Sequence, residues 1–354
     1  MTKRPLAPES RVEQIALERS GRQFIYPPIE KIPVIEVDNF PTLGKLTALR
    51  FLEWVQSHPD GIVSLPTGKT PEHFIKWVMH YLQKWGEQEV QKDLETNGID
   101  PANRPRMDQL RFVQIDEFYP INPAQTNSFA HYIHTFYIRG FGLNSQNALL
   151  LNAWSTGMPT GMTPDQVFPN ETVDLSLRIR HGKNHLEILQ REVIERVDEY
   201  CSDYERQIRD LGGIGFFLGG IGPDGHIGFN VSGSDHFSTT RLTATNYETQ
   251  AAAAGDLGGI EVARRRLVIT IGLCTITYNP DGVAIIIAAG EAKAKVIQNA
   301  VEAPASNLYP ATVLHQLKNA RFYITKGAGK LLIERRYEDV TRMDPVPESE
   351  IDHI

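Results

Sequence analysis

Asp224 and His226 stand two residues apart in the run Gly219-Gly220-Ile221-Gly222-Pro223-Asp224-Gly225-His226-Ile227-Gly228-Phe229-Asn230. The run follows Ile214 to Leu218, an apolar stretch that reads as a buried strand. An imidazole titrates near working pH and an acid at this interval can orient it, so the pair is equipped for proton transfer. Gly219, Gly220 and Gly222 let backbone approach a ligand closely or take φ above zero, where a Cβ would obstruct. Taken alone, Asp-Gly-His also reads as a tight strand-to-helix turn with a satisfied histidine. Two further segments bear on the choice.

In the first, Ile62 to Leu65 runs as an apolar strand into Pro66-Thr67-Gly68-Lys69-Thr70-Pro71, and Pro71 is placed to open a helix carrying Phe74, Ile75, Trp77, Val78 and Leu82. Free N–H groups at such a helix start suit a phosphate, although the same loop also reads as a plain helix cap. The glycine spacing does not match the nucleotide-binding loop pattern. In the second, Phe112 to Ile115 reads as a strand ending in Asp116 and Glu117. Adjacent acids at the carboxyl end of a parallel strand lie where open sheets bind ligands, and crowding there lifts one pKa toward that of a carbon-acid base. A surface acid pair at a loop start is the plainer reading of that segment by itself.

Together the segments resemble the glucosamine-6-phosphate deaminase/isomerase family, with 6-phosphogluconolactonase as a more distant relative. Leu65-Pro66-Thr67-Gly68-x-Thr70-Pro71 is similar to the family's phosphate loop, Asp116-Glu117-Phe118 to its Asp-Glu-Tyr segment, and Gly222-x-Asp224-Gly225-His226-Ile227-x-Phe229-Asn230 to its catalytic turn. Thr126-Asn127-Ser128 falls where the family has a substrate-side loop, and Gly290-x-x-Lys293 opens a later helix where it has a phosphate-contacting lysine. The resemblance spans roughly residues 35 to 330 and is stronger to the deaminases, which share the Gly-His-Ile-x-Phe-Asn run.

The resemblance implies isomerising deamination of glucosamine 6-phosphate to fructose 6-phosphate and ammonia. His226, oriented by Asp224, would open the sugar ring, and Asp116 would carry the proton between C2 and C1. Thr67, Gly68, Lys69, Thr70, Gly220, Gly222 and Lys293 would hold the substrate and its phosphate. Two positions depart from the pattern. The deaminases follow the turn's asparagine with a relay glutamate, where this chain has Val231. Their phosphate-binding arginine falls near Ala254-Gly255, so Lys69 or Arg264 to Arg266 would have to supply that cation, and Asp235 could stand in for the relay acid. A lactonase, a sugar-phosphate isomerase that never expels ammonia, and a non-catalytic sugar-phosphate sensor stay open beside the deaminase.

The chain has 354 residues, 41% of them hydrophobic, enough for a large core, and a net charge of −7 that argues against a nucleic-acid partner. Cys201 and Cys274 suggest no disulfide framework, the N-terminus lacks a signal peptide's apolar core, and no apolar run reaches membrane-spanning length. The expectations are a cytoplasmic homo-oligomer with no redox cofactor and no metal. The glycine runs also lack the full dinucleotide-binding spacing.

Strand and helix signals alternate. The fold class they predict is α/β: a doubly wound, mainly parallel sheet with helices on both faces, Rossmann-like but without a dinucleotide. Predicted strands are Val34 to Val37, Ile62 to Leu65, Phe112 to Ile115, Ala148 to Asn152, Ile214 to Leu218, Leu267 to Ile271, Val283 to Ala288 and Arg321 to Thr325. Predicted helices cover Pro41 to Val55, the stretch after Pro71, Phe129 to Tyr137, Leu186 to Leu211 and Glu291 to Val301. Glu87 to Arg106 reads as a polar interruption, and Ala153 to Arg180 as a long Pro/Gly/Thr-rich loop, lid or elaboration. An N-terminal extension (residues 1–32), one α/β domain (33–335) and an acidic tail (336–354) complete the division.

Overall fold

Strands buried on both faces need helices above and below them. The computed structural model shows that arrangement over the residues it describes, 10–20, 29–247, 250–251 and 266–335. Seven parallel strands lie in the order β1 (Val34–Val37), β10 (Asn319–Thr325), β9 (Val283–Ala288), β6 (Phe216–Gly220), β2 (Ile62–Ser64), β3 (Arg111–Val113) and β5 (Ala148–Leu149). Beside them lies a three-stranded antiparallel sheet, β4 (Asp116–Tyr119), β8 (Leu267–Thr270) and β7 (Arg241–Ala244). The α/β, doubly wound fold read from the sequence is therefore the fold of the chain. From β2 the chain winds outward through β3 and β5, then returns to the other side of β2 with β6 and continues to β9 and β10. The strand order reverses between β2 and β6, and in open α/β sheets ligands bind at the carboxyl end of that switch point.

Alternate side chains of each strand point to opposite faces. Phe216, Leu218, Ile285 and Ile287 pack with α2 (Phe40–Ser57) and α3 (Glu72–Gln83), whereas Phe217, Ala284 and Ile286 pack with α7 (His185–Asp210). α2 starts where the Asn39 side chain accepts from the Thr42 N–H at 3.0 Å, and it buries Leu43, Leu46, Leu49 and Leu52. α7 is capped in the same way by Asn184, on the Glu187 N–H at 2.9 Å. Of its expected stripe, Val193, Val197, Tyr204 and Ile208 are buried, while Leu189 and Tyr200 flank it half-buried.

The structure differs from the sequence expectations at several elements. The strand expected to reach Ile115 stops at Val113. Buried Gln114 breaks it: its side-chain amide donates to the Asp116 carbonyl at 2.8 Å and its side-chain oxygen accepts from the Leu151 N–H at 2.9 Å. Asp116 and Glu117 accordingly open the antiparallel β4, and the expected strand at Leu267 joins that same small sheet. The polar interruption holds α4 (Gln88–Thr96), whose apolar signal is confined to Val90 and Leu94. The 153–180 stretch carries α6 (Pro164–Val167) and short 3₁₀ turns, with Val167, Phe168 and Leu177 buried in the same core as α7.

Near the N-terminus α1 (Arg11–Ser20) docks on α2, because Glu53 accepts from the Arg11 N–H at 2.7 Å and from the Ser10 hydroxyl at 2.7 Å. Between α1 and the first strand the residues 21–28, like 1–9 and the acidic tail from 336, lie outside those described. Among the described residues no helix is long and apolar enough to cross a membrane, and no group of three or more His, Cys, Asp or Glu gathers as metal ligands.

Candidate active site

β6 and β2 are neighbours in register, Ser64 opposite Phe217, so the turns that follow them emerge side by side. A Cβ on Gly220 would lie 3.0 Å from the Thr70 methyl, which measures how closely the two turns approach. β9 flanks β6 on its other side and leads into the Gly290–Lys293 turn. Three consecutive parallel strands thus deliver the phosphate-loop candidate, the Asp-Gly-His turn and Lys293 to one end of the sheet.

Within the turn, His226 Nδ1 and Asp224 Oδ1 are 2.5 Å apart, and both side chains are largely buried. The other oxygen, Oδ2, accepts from the Ser232 N–H at 3.0 Å and from the Asn246 side-chain amide at 2.7 Å. Burial opposes ionisation of Asp224, but the hydrogen bond and charge of His226, with the Ser232 N–H, hold its carboxyl well below the usual range. The backbone places the pair through glycine at two positions. Gly225 takes φ +87°, and the imidazole lies where a Cβ on Gly222 would project.

Asp116 and Glu117, adjacent in sequence, meet different surroundings on β4. Glu117 is 1% exposed and caps the start of α5 (Phe129–Ile133). It accepts from the Ser128 hydroxyl at 2.8 Å and from the N–H groups of Phe118, Phe129 and Ala130 at 3.0, 3.1 and 2.8 Å. Asp116 is 8% exposed, and among the described residues no donor reaches its carboxylate. Burial, with the Glu117 charge second, pushes its pKa up to about 8. Burial raises Glu117 as well, against the pull of its four donors. A negative charge on Glu117 is met by four donors and one on Asp116 by none, so Asp116 is the carboxyl lifted toward neutrality.

Two contacts tie Asp116 to the His226 turn. Its register partner on β8 is Thr270, whose hydroxyl accepts from the Phe229 N–H at 3.2 Å. The rings of His226, Phe229 and Phe129 stack at 6.3 and 6.2 Å, with Phe118 of β4 packed 5.6 Å from Phe229. Arg241 lies opposite Thr270 on the other side and donates to Asn230 Oδ1, the last residue of the turn, at 2.8 Å.

In the loop after β2, Lys69 and Gly68 are exposed and Thr67 and Thr70 half-buried. Among the described residues nothing bonds the Thr67 and Thr70 hydroxyls or the Lys69 ammonium. Two tyrosines brace the loop backbone: Tyr132 donates to the Gly68 carbonyl at 2.9 Å, and Tyr137 donates to that of Pro66. Lys293 donates to the Ile221 carbonyl at 2.7 Å, inside the Asp-Gly-His turn, and its burial lowers its pKa.

All ten residues singled out from the sequence flank this end of the sheet. Sequence reasoning missed Asn246, Ser232, Thr270, and the Tyr132 and Tyr137 braces. Their contacts cross between elements, and no spacing along the chain announces them. Two suggestions find other settings. Arg266 is buried, donates to the Pro120 carbonyl and pairs with Glu171 at 2.5 Å; it is no solvated cation awaiting phosphate. Asp235 is exposed and accepts from the Phe237 N–H at 2.9 Å, within its own turn. Ala254, Gly255, Arg264 and Arg265 lie outside the described residues.

No family model matches the chain. It is similar to glucosamine-6-phosphate deaminase 2 of Bacillus subtilis, with 26% identity over 283 residues, 80% of this chain and 90% of that protein. It is also similar to glucosamine-6-phosphate deaminase 1 of Giardia intestinalis, with 23% identity over 301 residues, covering 85% and 91%. Among solved structures, a monomeric glucosamine-6-phosphate deaminase of the NagB superfamily shares the fold at TM-score 0.63 and 21% identity, over 85% of this chain and all of that one. The 6-phosphogluconolactonase of Leishmania guyanensis shares it at 0.54 and 13%, over 87% and 99%. The family resemblance read from the motifs is borne out by curated relatives that carry that name.

Proposed function

We propose that this chain, related in sequence to the glucosamine-6-phosphate deaminases and in fold to their superfamily, converts glucosamine 6-phosphate and water to fructose 6-phosphate and ammonia. The observation that carries the reading is the convergence of a buried, undonated Asp116 and the Asp224–His226 pair on one end of the sheet, through Thr270 and the Phe229 stack. His226 takes the proton of the anomeric hydroxyl and returns it to the ring oxygen, so the pyranose opens. Asp116 then removes the C2 proton and delivers it to C1 through an enolamine; the resulting ketimine is hydrolysed and ammonia leaves. Asp116 must be ionised to act, so turnover falls as pH drops below about 8.

Phosphate falls to the unpartnered hydroxyls of Thr67 and Thr70, the Lys69 ammonium, the start of α3 and Lys293. Fixing that end positions C1 and C2 against the acid–base groups. Removing a charged hydrogen bond to phosphate costs roughly 1.5–3 kcal/mol. Lys293→Ala should therefore raise KM for phosphorylated sugar at least about tenfold with less change in kcat. An unchanged KM together with unchanged inhibition by inorganic phosphate removes Lys293 from the site.

Purified protein offered glucosamine 6-phosphate, glucose 6-phosphate, fructose 6-phosphate with ammonia, and 6-phosphogluconolactone tests the reading. Ammonia and ketose from the first substrate support it; acid from the lactone alone overturns it. Val231 favours a second reading, a sugar-phosphate isomerase, since the relay carboxylate of the deaminase pattern is absent. Val231→Glu should speed turnover of the cyclic hexosamine phosphate and leave the open-chain ketose direction little changed. Equal loss in both directions favours the isomerase.

A further inference from the structure

Val231 leaves the turn without the second carboxylate that the deaminase pattern places beside the Asp-His pair, and Asp235 does not fill the gap. A different group reaches the pair from outside. Asn246, two residues beyond β7, donates its side-chain amide to Asp224 Oδ2 at 2.7 Å, next to the Ser232 N–H at 3.0 Å. Oδ1 is committed to His226 at 2.5 Å, so both oxygens of Asp224 are engaged; His226 and Ser232 lie close to it along the chain, whereas Asn246 comes from beyond β7.

Resting on the deaminase reading, we infer that Asn246 is a positioning residue for the acid–base step: it locks the Asp224 carboxylate and, through it, the His226 ring, in place of the missing relay acid. A carboxylate gripped through one oxygen and one backbone amide still rocks about its terminal torsion, which is broad for aspartate. A side-chain donor on the far oxygen restricts that motion. It also commits Nδ1 of His226 to the carboxylate, directing proton exchange with substrate to Nε2. A neutral amide does this without placing a second negative charge beside Asp224. A carboxylate in its place would have to share a proton with Asp224 at hydrogen-bond distance. β7 is set by the antiparallel pairing with β8, so the position of Asn246 depends on the same small sheet that carries Asp116.

Two variants test this. Asn246→Asp keeps the shape and reverses the donor; Asn246→Ala removes it. Each should lower kcat for the cyclic hexosamine phosphate by on the order of 10- to 100-fold, the Asp variant more, with KM within about twofold. In ligand-free protein each should shift or broaden the His226 Nδ1 proton resonance, a readout that mere packing would not move. Thermal unfolding of both variants checks that the fold persists. An unmoved resonance with kcat unchanged in both overturns the inference. A wild-type protein that deaminates no hexosamine phosphate defeats the underlying reading instead, and the resonance still decides the role of Asn246.

Discussion

Asp116→Asn is expected to lower turnover by about 100- to 10,000-fold, because the amide matches the carboxyl in shape but cannot take the C2 proton. Phosphate affinity should stay near wild type, since the loop after β2 and Lys293 are untouched. The same substitution should stabilise the fold. Burial lifts the folded-state pKa of Asp116 to about 8, above the ordinary carboxyl value of an unfolded chain. The folded protein therefore retains a proton that the unfolded chain has released, and wild-type stability from this group declines as pH rises from about 4 to 8. The asparagine has no such titration. Above pH 8 the variant should exceed wild type by at least about 1 kcal/mol, while below pH 4 the two should converge. Activity loss with an unchanged or lower melting temperature at pH 8.5 would mean that Asp116 is solvated and ionises as an ordinary carboxyl.

Gly222→Ala is expected to disable the Asp224–His226 pair with a single added methyl. Its Cβ would project into the His226 ring, while the φ of Gly222 lies outside the left-handed region, so the backbone tolerates alanine. The flexible partner has to move, and it is the imidazole that swings away from Asp224. General acid–base catalysis contributes on the order of 100- to 10,000-fold, and kcat should drop within that range with KM little changed. The melting temperature should fall by no more than a few degrees, since His226 belongs to one turn and not to the hydrophobic core. A fully active Gly222→Ala would show that the ring sits elsewhere during turnover.

The parallel sheet was legible because its strands are short apolar runs between helices whose leucines and valines recur at helical spacing, as in α2 and α7. The Asp-Gly-His turn, the loop after β2 and Lys293 were legible because each is a local pattern at a strand end. The break at Gln114 was not, because its cause is a side chain bonded to the Leu151 N–H, far along the chain. The opposite fates of Asp116 and Glu117 were also hidden. Both are acids in one dipeptide, and only α5 folding back supplies Glu117 with three of its four donors. α4 escaped because its surface is charged nearly all round and only Val90 and Leu94 are buried. Asn246 lies in a segment with no periodicity, and only the pairing of β7 with β8 brings it to Asp224.

The central claim, that one carboxyl moves a proton between adjacent sugar carbons while ammonia is lost, is tested most directly in deuterium oxide. Wild-type protein with glucosamine 6-phosphate should release ammonia and yield fructose 6-phosphate with solvent deuterium at C1 in those turnovers in which the Asp116 carboxyl exchanges its proton before returning it, and Asp116→Asn should yield neither. Ketose and ammonia formed by Asp116→Asn at the wild-type rate, or no ammonia from wild type while a phosphogluconolactone is hydrolysed, would contradict the account.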